Sequence, residues 1–218
     1  MRKDSFEAVI FDMDGVIVDS EPLHEQSFLE VWDKLGYRES HGIHFPDFYG
    51  RSDRVVWEAF IEKHTPNKTI EELIGLREDR LIRMLREHKP LFEGVVPLIH
   101  RLAKRYQLGL ASGSIHRVID EVLKMQNLRV YFQDVTSSED VSAPKPSPEI
   151  FLLSAERLGV SPEKCSVIED TVNGIKAGKA AGMTVIAIPN TFDTATLARA
   201  GADQVCHDYF QIESQLCY

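Results

Sequence analysis

The unbroken apolar run Ala8-Val9-Ile10-Phe11 is closed by Asp12. Its length and continuity predict a short strand buried on both faces. The hydrophobic period then changes. Leu23, Phe28, Val31, Trp32 and Leu35 fall on one helical face, with Ser20 as the cap, Pro22 in the first turn and Gly36 as the stop. Val55, Val56, Ala59 and Phe60 mark a second helix. Thr69-Ile70-Glu71-Glu72 has capping-box spacing and opens a third, with Leu73, Leu76, Leu81, Met84 and Leu85 on its apolar face. From about Asp19 to about Lys89 nothing reads as a strand.

Beyond Pro90 the two periods alternate. Helices are expected over 95–105, 115–125, 148–158 and 174–181, the last two stopped by Gly159 and Gly182. Strands are expected over 108–111, around Val135, over 166–168 and over 184–188, with 202–206 as an edge strand and a weak helix from Tyr209. Strand–helix alternation with continuous apolar strands predicts an α/β fold, a parallel sheet covered on both faces. The expected division is a core of residues 1–18 and 90–218, interrupted by an all-helical insert of residues 19–89.

Composition narrows the function. An apolar share of 43% suits an ordinary globular core. A net charge of -9 argues against a nucleic-acid binder, which needs a basic face. It also gives an anionic substrate no long-range attraction, so any such substrate must be held by local donors. No run is long enough to cross a membrane, and the short apolar stretch behind Arg2 and Lys3 is no signal region. The three cysteines, Cys165, Cys206 and Cys217, lack metal-type spacing, and reduced thiols in a cytoplasmic protein are expected.

The candidate chemistry sits where strands end, the edge at which parallel sheets bind ligands. Asp12 and Asp14 lie two apart after the first strand, so their carboxylates point the same way. Two such groups repel unless a cation lies between them, and a hard cation with oxygen ligands meets that need. A carboxylate beside a bound metal is also a nucleophile for phosphorus. Gly15 permits a tight turn. A calcium loop is excluded, because Gly15 as its sixth position would put Ile10 at the first ligand. Ser112-Gly113-Ser114 follows the second core strand, with Ser112 and exposed amides near Gly113 for a phosphate and Ser114 to cap the next helix. Lys145 stands between Pro144 and Pro146, which predicts a stiff, extended segment presenting its ammonium. Glu169-Asp170 ends the strand over 166–168 and adds a second acidic pair, and four gathered carboxylates demand a cation.

These four segments, in this order, resemble the signature of the haloacid dehalogenase superfamily of aspartate-nucleophile phosphatases: Asp12-Met13-Asp14-Gly15-Val16, Ser112, Lys145 in Pro-Lys-Pro-Ser-Pro, and Glu169-Asp170. The resemblance spans essentially the whole chain. It is similar to the helically capped branch of sugar-phosphate phosphatases, phosphoglycolate phosphatases and β-phosphoglucomutase. The resemblance implies a Rossmann-like core with an inserted helical cap. It implies Asp12 as nucleophile, Asp14 as acid and base, and Ser112, the Gly113 amide and Lys145 on the phosphoryl oxygens. It also implies Mg2+ held by Asp12, the Asp14 carbonyl and Asp170, with Glu169 a ligand or a supporting group. The expected substrate is a small phosphorylated metabolite and the expected state a monomer.

The cap departs from the mutase pattern. Those caps carry Gly-x-Ser-Arg, whose arginine binds a second phosphate, whereas this chain has Gly50-Arg51-Ser52-Asp53. Arg51 or Arg54 is left to substitute, which favours a phosphatase. His24, on the first cap helix, matches a mutase histidine and keeps the mutase as the alternative. A receiver domain has the reverse order of acids and no insert, and family dehalogenases lack the equivalent of Asp14.

Overall fold

Continuous apolar runs become the strands of a single parallel sheet. The computed structural model describes residues 6–48 and 52–217. Its strands are β1 (Ala8–Phe11), β2 (Gln107–Ala111), β3 (Asp134–Thr136), β4 (Cys165–Glu169), β5 (Thr184–Ala187) and β6 (Gln204–Val205). Their order across the sheet is β3-β2-β1-β4-β5-β6. Every ladder is parallel, and Phe11 is in register with Leu110 on one side and Ile168 on the other. The chain builds outward from β1 through β2 to β3, then returns to β4 and builds the opposite way. The switch point therefore falls between β1 and β4, where an open parallel sheet leaves a crevice beyond its carboxyl edge.

The chain divides into two compact units, Met1–Asp19 with Pro90–Tyr218, and Ser20–Lys89. In the first, helices α4 (Val95–Leu102), α5 (His116–Lys124), α6 (Glu149–Leu158), α7 (Val172–Ala180), α8 (Thr194–Ala200) and α9 (Tyr209–Cys217) accompany the sheet. All four residues of β1 are fully buried, as two covered faces require. Ile10, Ala111, Phe151, Val167, Ile175 and Val185 share one core cluster. Asp19 closes the unit by donating its N–H to Pro90 O (2.8 Å).

The second unit is helical among its described residues: α1 (Glu21–Leu35), α2 (Asp53–Lys63) and α3 (Ile70–His88). Its core is aromatic, with Phe28, Trp32, Trp57 and Phe60 all buried and Trp32 stacked on His41 at 4.4 Å. The capping box at Thr69 is formed, Thr69 Oγ1 accepting from Glu72 N and Glu72 Oε2 from Thr69 N (2.7 Å).

Several local expectations need correction. Ser20 makes no side-chain cap and is itself helical in backbone (φ -96°, ψ -17°), since Pro22 leaves one fewer N–H to satisfy. The helix expected over 95–105 stops at Leu102, the edge strand shrinks to Gln204–Val205, and α7 starts earlier than Gly174 because Thr171 accepts from Gly174 N. Helix α8 was not expected at all, because Leu197 is its one buried residue and no apolar period shows.

Candidate active site

β1 and β4 run side by side and end in acids, so the sheet delivers Asp12 beside Glu169 and Asp170. Asp12 N donates to Ile168 O (2.9 Å), which fixes the backbone of one acid to the neighbouring strand. One carboxylate oxygen from each of Asp12, Glu169 and Asp170 lies within 4.8 Å of the others, and all three residues are buried. The Lys145 ammonium donates to Asp12 Oδ1 (2.5 Å), Glu169 Oε1 (2.8 Å) and Ala111 O (3.1 Å), which uses all three of its protons. Its Nζ also stands 4.8 Å over the Phe151 ring.

One ammonium cannot balance three carboxylates. Burial, then the Glu169 and Asp14 charges, push the Asp12 carboxyl up to about 8, although Lys145 opposes them. Burial also works against the Lys145 charge, but Asp12 and Glu169 outweigh it and hold that ammonium above its ordinary range. An all-oxygen donor set with this negative excess fits a hard divalent cation.

The acids are not equivalent. Glu169 Oε2 accepts from Asp170 N (2.8 Å), Thr171 N (2.9 Å) and Thr171 Oγ1 (3.0 Å), so Glu169 is committed to protein donors on both oxygens. Asp170 Oδ2 accepts from the Thr191 hydroxyl. Gly15 (φ +75°) lies against that oxygen, and a Cβ there would come within 1.9 Å of it. Asp14 is absent from the three-carboxylate group. Its Oδ2 accepts from Ser114 Oγ (2.9 Å), with Ser112 Oγ at 3.5 Å.

A family model described as haloacid dehalogenase-like hydrolase matches residues 9–188. The chain belongs to the haloacid dehalogenase-like hydrolases. Hexitol phosphatase B of Escherichia coli K12 is 39% identical over 187 residues, spanning 84% of this chain and 83% of the relative. A phosphorylated carbohydrates phosphatase of Thermotoga maritima is 32% identical over 203 residues, 90% of this chain and 92% of the relative. The solved structure of a candidate beta-phosphoglucomutase from Thermotoga maritima has a TM-score of 0.78 at 30% identity, covering 97% of this chain and 100% of its own.

Two expectations about loops change in this hydrolase. Ser114 does not cap α5. The first N–H of that helix, at His116, donates to Glu139 Oε2 (2.7 Å), so a protein carboxylate takes the anion seat at the helix end. Lys145 is not in an extended segment but in a turn, where Ser147 N donates to Pro144 O (3.0 Å). The Lys145–Pro146 peptide bond is cis at the third position of this turn, which is type VI geometry, so the bend comes from the proline itself.

Gly113 is exposed between Ser112 and Ser114. His24 lies on α1 in the helical unit, where its Nδ1 meets Arg77. Arg77 is buried and paired with Asp53, so that acid is neutralised within its own unit. Arg51 lies outside the described residues. Sequence reasoning missed Thr191, Asn190 and Tyr209. Asn190 Nδ2 donates to Gly15 O (2.7 Å) and Tyr209 Oη to Val16 O (2.7 Å), and both steady the loop after β1. Thr191 and Asn190 follow β5 at the same sheet edge, which was the available signal. Among the described residues no helix is long and apolar enough to cross a membrane.

Proposed function

We propose that this hydrolase is a magnesium-dependent phosphatase of small phosphomonoesters, sugar or polyol phosphates, working through an aspartyl-phosphate on Asp12. One observation carries the reading: a buried carboxylate at the sheet's switch point, gripped by a lysine and flanked by two more acids within 4.8 Å. The names of the relatives supply the substrate class, as proteins acting on hexitol and carbohydrate phosphates.

Asp12 and Asp170, with the Asp14 carbonyl, would hold the ion, and Glu169 supports Lys145 and the loop after β4 rather than the ion. When bound, magnesium supplies positive charge that offsets repulsion between carboxylate and phosphate. An Asp12 oxygen attacks phosphorus, the bond from phosphorus to the sugar oxygen breaks, and Asp14 gives that oxygen a proton. Water then attacks the aspartyl-phosphate, Asp14 takes its proton, and the Asp12 oxygen leaves with its electron pair. Ser112 and the Gly113 amide meet the phosphoryl oxygens. Lys145 does so by exchanging Ala111 O, its one neutral and longest partner, for phosphate. Substrate choice rests with the helical unit, where His24 and Arg51 are the candidate contacts.

The test is a panel of hexitol and hexose phosphates in magnesium, read for both free phosphate and product identity. Stoichiometric phosphate with the free polyol or sugar is expected, and Asp12→Asn abolishes it while the protein still folds. Accumulation of an isomeric sugar phosphate with little free phosphate would assign a phosphomutase instead.

A further inference from the structure

We propose that Ser114 is the positioning residue for Asp14, aiming the acid–base carboxylate while Ser112 is kept for the phosphoryl group. The proposal rests on the phosphatase reading above. The two serines are two residues apart in one loop, and their hydroxyls do different things. Ser114 Oγ donates to Asp14 Oδ2 at 2.9 Å, a full hydrogen bond. Ser112 Oγ stands 3.5 Å from the same oxygen, at the limit of one, and accepts from Ser114 N at 3.0 Å. That acceptance fixes the Ser112 oxygen, whose own proton reaches Asp14 only over the long 3.5 Å contact.

The loop leaves Ser114 little freedom. Its N–H is taken by Ser112 Oγ and its carbonyl accepts from Ser138 N (3.2 Å). The α5 end it was expected to cap is served by Glu139 instead, so its hydroxyl is spared for Asp14. The Asp14 backbone is held from the other side, through Gly15 N donating to Val18 O (2.9 Å) and Asn190 donating to Gly15 O. With its backbone braced and one carboxylate oxygen tethered, Asp14 has few orientations left. A proton-transfer group gains from such restriction, because a misplacement of about 1 Å can cost about 100-fold in rate.

The consequence is a dependence on the leaving group. A sugar alkoxide needs the Asp14 proton to depart, whereas p-nitrophenolate leaves without it. In kcat/KM, which reports the steps up to release of the leaving group and not the later hydrolysis that both substrates share, Ser114→Ala is therefore expected to lose about 10- to 100-fold on the best sugar or polyol phosphate, and much less on p-nitrophenyl phosphate. Ser114→Thr, which keeps the hydroxyl, restores the sugar-phosphate rate. Unfolding curves of each variant, matched to wild type, separate aim from folding. Equal losses of kcat/KM on both substrates would overturn the proposal and make Ser114 a phosphate contact. Wild type that hydrolyses neither substrate would instead fail the phosphatase reading itself.

Discussion

A methyl group at position 174 would sit 1.6 Å from Glu169 Oε1, the oxygen that accepts from Lys145. No rotation of a methyl relieves that, so Glu169 must move and take its grip on the ammonium with it. Gly174→Ala is expected to cost about 1–3 kcal/mol, the range for overpacking, and to lower turnover together with stability. Denaturant titration beside phosphate release checks both, and a variant with wild-type values would show that Glu169 can leave Lys145 without consequence. Asp12, Asp14, Glu169 and Asp170 were legible in the sequence because each follows an apolar run that could only be a strand. The groups that hold them were not. Thr191 on Asp170 and Ser114 on Asp14 depend on how separate loops meet in space, and a hydroxyl in a polar loop has no periodic signal.

At the scale of elements, α3 opens on a complete capping box. The reciprocal bonds between Thr69 and Glu72 satisfy two backbone donors that solvent would otherwise have to meet. Thr69→Ala should destabilise the helical unit by about 1 kcal/mol, seen as an earlier unfolding midpoint, while Thr69→Ser should behave as wild type. No change for Thr69→Ala would mean that α3 is held by tertiary packing alone. This helix was readable because cap, acidic first turn and apolar stripe agree. The buried strands were readable for a similar reason, since β1, β2, β4 and β5 have no polar interruption at their centres beyond Ser166. Helix α8 is short and rich in alanine and threonine, and Asp193 caps it through Thr196 N (2.8 Å) without an apolar stripe to announce it. The turn at Lys145 is not legible in the sequence, because flanking prolines suit an extended segment and a type VI turn alike, and the cis Lys145–Pro146 bond leaves no signal in the pattern.

Across the whole molecule the acidic excess at the switch point links folding to protons and metal. The folded, metal-free protein holds the Asp12 carboxyl near 8, above its ordinary 3.8, so between those values the folded state binds the extra proton. Stability from this group is therefore present at low pH and lost as pH rises through 8. A divalent cation stabilises the carboxylate and removes that loss. The gain in Tm on adding magnesium should thus grow from pH 6 to pH 8, and Asp12→Asn should flatten the difference. An equal gain at both pH values would place the ion away from Asp12. The position of β1 has one more implication. Among the described strands it comes first in the chain, yet its two partners, β2 and β4, come from far later. Until Lys145 and then β4 have emerged on the ribosome, Asp12 lacks first its lysine anchor and then its neighbouring acids, and the nascent polypeptide carries an inert aspartate. The same delay leaves a wholly apolar segment waiting for its neighbours, so the hazard during biosynthesis is aggregation rather than premature reactivity.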